Sequence, residues 1–72
     1  MKNIYPNLAA EMARKKITQK KLGEILGLNP VAIHPRLKGK TDFKLIEICK
    51  IMNFFNSTFD YIFDTDVIPN KK

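Results

Sequence analysis

Seventy-two residues make one small domain, with a core only marginally large enough to hold it folded. Thirteen Lys and Arg against seven Asp and Glu give a net charge of +6 and an isoelectric point near 9.7, which favours a polyanionic partner, nucleic acid or an acidic surface. The single cysteine excludes an intramolecular disulfide and suits a reducing cytoplasm, no apolar run reaches membrane-span length, and the N-terminus has no signal-peptide pattern.

In chain order the pattern predicts five short helices and no strand. Pro6 is a first-turn proline, and the segment NLAAEMARKK places Leu8, Ala9, Met12 and Ala13 inward. Arg14, Lys15 and Lys16 stand at its C-terminal end, where the macrodipole favours cations. Thr18 caps a second helix, QKKLGEIL, whose inner face is Leu22, Ile25 and Leu26 and which Gly27 stops. Asn29 caps a third, about residues 30–38, with Ile33 and Leu37 inward and Gly39 as its stop. After the loop KGKTDF, the segment KLIEICKIMNFF carries Leu45, Ile48, Cys49, Met52 and Phe55 at helical spacing and ends at Asn56. Thr58 caps a last helix, FDYIF, with Phe59, Ile62 and Phe63 inward. The domain is expected to span residues 1–64, with residues 65–72 a flexible tail.

Helices two and three are separated by Gly27, Leu28 and Asn29 alone. A turn that short forces a large angle between the axes, as in a helix-turn-helix. It also needs a small residue where the helices touch, and a mid-helix glycine costs about 1 kcal/mol against alanine, so Gly23 marks the contact. Leu22, Leu26, Leu28 and Ile33 supply the apolar ties.

The segment ITQKKLGEILGLNPVAIHPRLKGKTDF resembles the helix-turn-helix of the phage-repressor and Cro-like group, the Xre-type regulators. The resemblance covers roughly Asn7 to Phe63 and rests on the TQ opening, the small residue, the turn glycine and the later GK. It implies an all-α, lambda-repressor-like five-helix bundle and a cytoplasmic, sequence-specific DNA-binding transcriptional regulator, repressor-like and of phage or prophage type. The third helix would enter the major groove of double-stranded DNA, and a homodimer would read two half-sites. Gln19 and Lys20 would hold phosphate at the start of the second helix; Lys38, Lys40 and Thr41, with Lys44 beyond, would hold it after the third.

The third helix departs from that pattern. The positions matching the usual base readers are Pro30, Val31 and Pro35, none with a side-chain donor or acceptor. Asn29, His34, Arg36 and Lys38 are the polar candidates, with Arg36 pointing sideways, while Val31, Ala32 and Pro35 could touch a thymine methyl. Pro35 removes one backbone donor near the middle of the helix, which predicts a distorted or two-part recognition helix. The alternative is therefore the same fold used for protein contact or weak non-specific DNA binding.

The remaining polar residues suggest no chemistry. Cys49 reads as a small core residue, and Asp60, Asp64 and Asp66 as solvated charge, since they lack the glycine turn and further ligands of a calcium loop. With one His, one Cys and no phosphate-binding loop, neither catalysis nor a cofactor is expected. Ile46, Phe54, Phe63, Val67 and Ile68 form the apolar set near the C-terminus on which a dimer could be built.

Overall fold

A computed structural model describes residues 3–66, and within them the chain forms five helices and no strand. They are α1 (Pro6–Arg14), α2 (Gln19–Leu26), α3 (Pro30–Leu37), α4 (Leu45–Phe55) and α5 (Phe59–Ile62). The radius of gyration is 11.0 Å, against about 11 Å for a folded chain of this length. α2 packs on α3 and α4, while α5 packs on α1 and α4. Leu8, Leu22, Ile33, Leu37, Ile51 and Ile62, at least one from each helix, meet at the fully buried centre. None of the described helices is long and apolar enough to cross a membrane.

The helix starts follow the capping chemistry of the sequence. Lys21, Val31 and Tyr61 donate their backbone N–H groups to the side chains of Thr18, Asn29 and Thr58, at 3.1, 2.9 and 3.3 Å. The stops share one device. A residue in the left-handed region follows α1, α2, α3 and α4 in turn: Lys16, Gly27, Gly39 and Asn56. The next N–H then reaches back to a carbonyl five residues earlier: Ile17 to Met12, Leu28 to Gly23, Lys40 to Pro35, and Ser57 to Met52. These are Schellman terminations, which satisfy carbonyls that the helix leaves free.

Several positions face differently from the sequence reading. On α4 the buried residues are Glu47, Ile51 and Phe55, with Ile48 and Met52 half-buried. Leu45, expected inward, is 76% exposed, and Cys49, expected in the core, is exposed. The helix is rotated to bring a carboxylate inside, because Glu47 has a buried cationic partner described below. On α1 Glu11 is buried, whereas Ala13, expected inward, is exposed. The Glu11 carboxylate accepts from the Tyr61 hydroxyl at 3.0 Å and pairs with Arg14 at 3.0 Å, tying α1 to α5. Phe59 is half exposed because α5 is only four residues long and buries one side through Ile62.

Pro35 does not break α3. The helix runs unbroken for eight residues. Proline at its sixth position removes only one backbone bond, the one to the Val31 carbonyl, on the exposed side of the helix. Ile33 and Leu37 hold the opposite side in the core, and the Pro35 carbonyl accepts from both Lys40 and Thr41, at 2.9 and 3.3 Å.

The short α2–α3 connection rests on Gly23. A Cβ built there would lie 2.7 Å from the Leu28 carbonyl oxygen and 3.6 Å from a side-chain carbon of Ile33. Backbone cannot yield as a flexible side chain does. Gly23→Ala is therefore expected to destabilise the fold by about 1–3 kcal/mol, although alanine is the better helix former. Urea denaturation measures this, and a variant as stable as the parent would show that the helices can separate without cost.

Candidate nucleic-acid interface

α3 presents two faces of opposite character. Taking Ile33 as the inward direction, successive residues rotate by about 100°. Leu37 then points inward with it and Arg36 lies to one side, while Val31, His34, Pro35 and Lys38 fall on the outer half. Exposure follows that geometry. Ile33 and Leu37 are buried, Val31 is 78% exposed, His34 is exposed, and Pro35, Lys38 and Ala32 are half-buried. Asn29 is exposed at the N-terminal end, its side-chain Oδ1 accepting the Val31 N–H of the cap.

Arg36 is the main correction. Expected among the polar side chains available to a partner, it is instead 8% exposed and turned into the protein. Its Nε donates to Glu47 Oε1 at 2.9 Å and its Nη2 to Glu47 Oε2 at 3.3 Å, a two-pronged pair between α3 and α4. Its Nη1 donates to the Ala32 carbonyl at 2.9 Å, and Glu47 Oε1 also accepts the Lys44 N–H at 2.9 Å, closing the N-terminus of α4. Burial alone would push the Glu47 carboxyl up. The Arg36 hydrogen bond, the Lys44 N–H and the charges of both residues more than offset burial and hold it below the usual carboxylate range.

The loop between α3 and α4 is fixed by its single apolar residue. Phe43 is buried against Tyr5 and Phe63, with ring centroids 6.0 and 5.5 Å away, and Tyr5 meets Phe63 at 5.3 Å. Burial, and then the Asp42 charge, push the Tyr5 phenol up. The Ile4 N–H donates to the Leu37 carbonyl at 2.9 Å, and the Thr65 hydroxyl donates to the Ile4 carbonyl, so both ends of the described chain brace the end of α3. Lys40, Thr41 and Lys44 are exposed on this anchored loop.

Several lysines lie outside the salt bridges of the described residues. Lys38, Lys40 and Lys44, around the end of α3, form no salt bridge among the described residues, and neither does Lys20 on the first turn of α2. Gln19 beside it is half-buried. Lys21, by contrast, pairs with Glu24 at 3.8 Å. The predicted residues Gln19, Lys20, Asn29, Val31, Ala32, His34, Pro35, Lys38, Lys40 and Thr41 thus all keep some exposure, and Arg36 alone is withdrawn. Of the apolar set near the C-terminus, Ile46 and Phe54 are exposed at 61% and 40%, Phe63 is buried in the aromatic cluster, and Val67 and Ile68 lie outside the described residues. No group of three or more metal-ligating side chains occurs among the described residues.

The buried pair gives a pH-dependent expectation. The Glu47 carboxyl is lowered in the folded state, so its stabilisation is present above the unfolded carboxylate value and fades as pH falls through the folded one. Glu47→Gln leaves the Arg36 charge buried and uncompensated, which typically costs about 3–5 kcal/mol. Denaturation at pH 7 should show that loss, and the gap between variant and parent should narrow as the pH is lowered towards 3. A gap independent of pH would mean that the carboxylate's charge contributes nothing. Comparison with protein-family models, with curated proteins and with solved structures finds no match for this chain.

Proposed function

We propose that the protein is a DNA-binding transcriptional regulator, a lambda-repressor-like helix-turn-helix domain of the phage or prophage repressor kind that its sequence resembles. The observation that carries this reading is the outer face of α3. It stands clear of the core, next to a three-residue turn whose Leu28 carbonyl packs against Gly23, with Lys20 near the N-terminus of α2 and Lys38, Lys40 and Lys44 around its own C-terminal end, none of the four in a salt bridge among the described residues. In this reading α3 enters the major groove. Gln19, Lys20, Lys38, Lys40, Thr41 and Lys44 meet backbone phosphates on either side. Val31 and Pro35 face thymine methyls, and His34, Asn29 and Lys38 supply the polar contacts to base edges.

A specific observation favours a second reading. With Arg36 committed to Glu47 and Pro30, Val31 and Pro35 lacking donors, the outer face of α3 offers no two-pronged base contact. That composition also fits a surface that meets a protein or holds DNA without regard to sequence. Titration against random duplex and against duplex selected by the protein, each at two salt concentrations, separates the cases. Tighter binding to the selected duplex supports specific regulation. Equal affinities with a steep salt dependence mean backbone binding alone, and no binding at low salt points to protein contact.

Lys40→Ala is expected to weaken binding about equally across sequences and to lower the salt slope by roughly 1, because a phosphate contact positions without specifying. A loss confined to one sequence would contradict that role.

The proposed regulator is a homodimer whose interface includes Ile46 and Phe54, exposed on the outer side of α4. In a two-fold contact every substitution counts twice. Ile46→Lys combined with Phe54→Lys should sediment as a monomer and lose most of its affinity for a two-half-site duplex. A parent protein that is monomeric at high concentration, with and without DNA, would remove the dimer.

A further inference from the structure

Away from the outer face of α3, the aromatic cluster borders a cavity of about 340 Å³. Ligand pockets run from roughly 300 to 1,000 Å³, so this one has room for a small molecule. Its walls come from places far apart in the sequence: Tyr5 before α1, Phe43 on the α3–α4 loop, Ile48 of α4, Phe59 of α5 and Phe63 just after it. Phe63 stands at the centre of the aromatic wall. It meets Tyr5 and Phe43 at steep angles, 85° and 63°, and lies 5.4 Å from the ring of Phe59, which is half exposed.

Three polar side chains join these walls. The Thr65 hydroxyl is given to the Ile4 carbonyl. Asp42 is exposed, forms no salt bridge among the described residues, and is the one charged side chain among those lining the cavity. The third is the Tyr5 hydroxyl. Tyr5 is only 5% exposed, yet its hydroxyl bonds to none of the described residues, although a buried phenol usually finds a partner. Every fully buried side-chain polar atom among the described residues has its partner, so this hydroxyl keeps its access through the cavity that Tyr5 lines. Burial and then the Asp42 charge push the phenol up, which sets the hydroxyl on the Asp42 side.

This lining selects by charge. Aromatic faces and a carboxylate both attract a cation and both repel an anion, whatever the net charge of the chain. A purely apolar guest would leave Asp42 and the Tyr5 hydroxyl unused. An ammonium group can donate to the carboxylate and to the phenol oxygen, while an apolar body lies against the rings. We propose that the cavity is a binding site for a small organic ammonium ion with an apolar body, its charge held by Asp42 and the Tyr5 hydroxyl and its body by Phe43, Phe59 and Phe63. The inference stands apart from the DNA-binding reading, which uses none of these residues.

The probes are phenethylamine, the neutral phenethyl alcohol and the anionic phenylacetate, each titrated into the full chain at millimolar concentration. Amide chemical shifts locate the site, and Tm rises with occupancy because the walls come together only in the folded chain. The amine is expected to move the Asp42, Phe43 and Ile48 amides and to raise Tm, with the alcohol about ten-fold weaker and phenylacetate weaker still. Asp42→Asn, at an exposed position, is expected to bring the amine down to the level of the alcohol and to leave the alcohol unchanged. Phe59→Ala is expected to weaken both. Equal binding of the three probes, or an amine affinity indifferent to Asp42→Asn, overturns the proposal. So does a parent in which no probe moves these amides. Binding that appears only after Val67→Ser and Ile68→Ser would give the cavity to the chain's own apolar side chains. Shifts at the same amides on raising protein concentration alone would give it to a second copy, and either outcome overturns the ligand.

Discussion

A guanidinium and a carboxylate, both shut away from water, hold α3 to the start of α4. Taking either charge out of water alone would be prohibitive, so each of the two is present only because the other is. Arg36 spends three donors inside the protein: two on Glu47 and one on the Ala32 carbonyl of its own helix. Glu47 in turn uses one oxygen to close the first turn of α4 through the Lys44 N–H. The pair therefore fixes three things at once: the rotation of α3 about its axis, the rotation of α4, and the end of the loop between them. The exposure of Val31 and His34 on one side of α3 and of Leu45 and Ile46 on α4 follows from those two rotations. So does the position of the lysines on the loop, which Phe43 pins from the other side through Tyr5 and Phe63.

The same pair explains why an eight-residue helix tolerates an internal proline. α3 is too short for its backbone bonds alone to stabilise it, and most of its stability comes from packing. Losing one of few backbone bonds at Pro35 matters less when Ile33 and Leu37 are buried and Arg36 is bonded to Glu47 of α4 and to the Ala32 carbonyl. A proline at a position whose φ it already favours also narrows the unfolded ensemble. The rigidity of α3 is thus tertiary in origin, and its outer face is released from any structural duty.

The local grammar of the chain was legible. Thr18, Asn29 and Thr58 as caps, Gly27 and Asn56 as left-handed stops, and Gly23 as the point of close approach are consequences of short-range sterics and hydrogen bonding, which depend on a few adjacent residues. The rotation of α4 was not. LIEICKIMNFF has apolar residues on nearly every side, so periodicity admits more than one inward face, and a rule that keeps carboxylates outside selects the wrong one. The missing signal was a pair: Arg36 with Glu47, eleven residues apart, one on each helix, with the Lys44 to Glu47 spacing of a helix start. The inward turn of Glu11 was equally hidden, because one of its two partners, the Tyr61 hydroxyl, is fifty residues distant. In a core this small a few buried polar pairs decide which faces turn inward, and such pairs are long-range facts.

For the candidate site the consequence concerns how a duplex could be discriminated at all. Two-pronged recognition of guanine or adenine needs Arg, Lys, Asn or Gln with both ends of the side chain available, and each good pairing is worth about 1–3 kcal/mol against the wrong base. Arg36 is withdrawn, and the Asn29 oxygen is already engaged by the Val31 N–H. What α3 offers outward is the Val31 methyls, the Pro35 ring, and the single-pronged His34 and Lys38. Apolar contact with a thymine methyl discriminates by shape, and phosphate contacts discriminate not at all. On the proposed reading each domain would therefore contribute a small difference in free energy between sequences. Two domains joined on the α4 side would add their differences and so multiply the discrimination. A protein whose reading face has so little hydrogen-bonding capacity depends on pairing for selectivity more strongly than one with an arginine or glutamine in the groove.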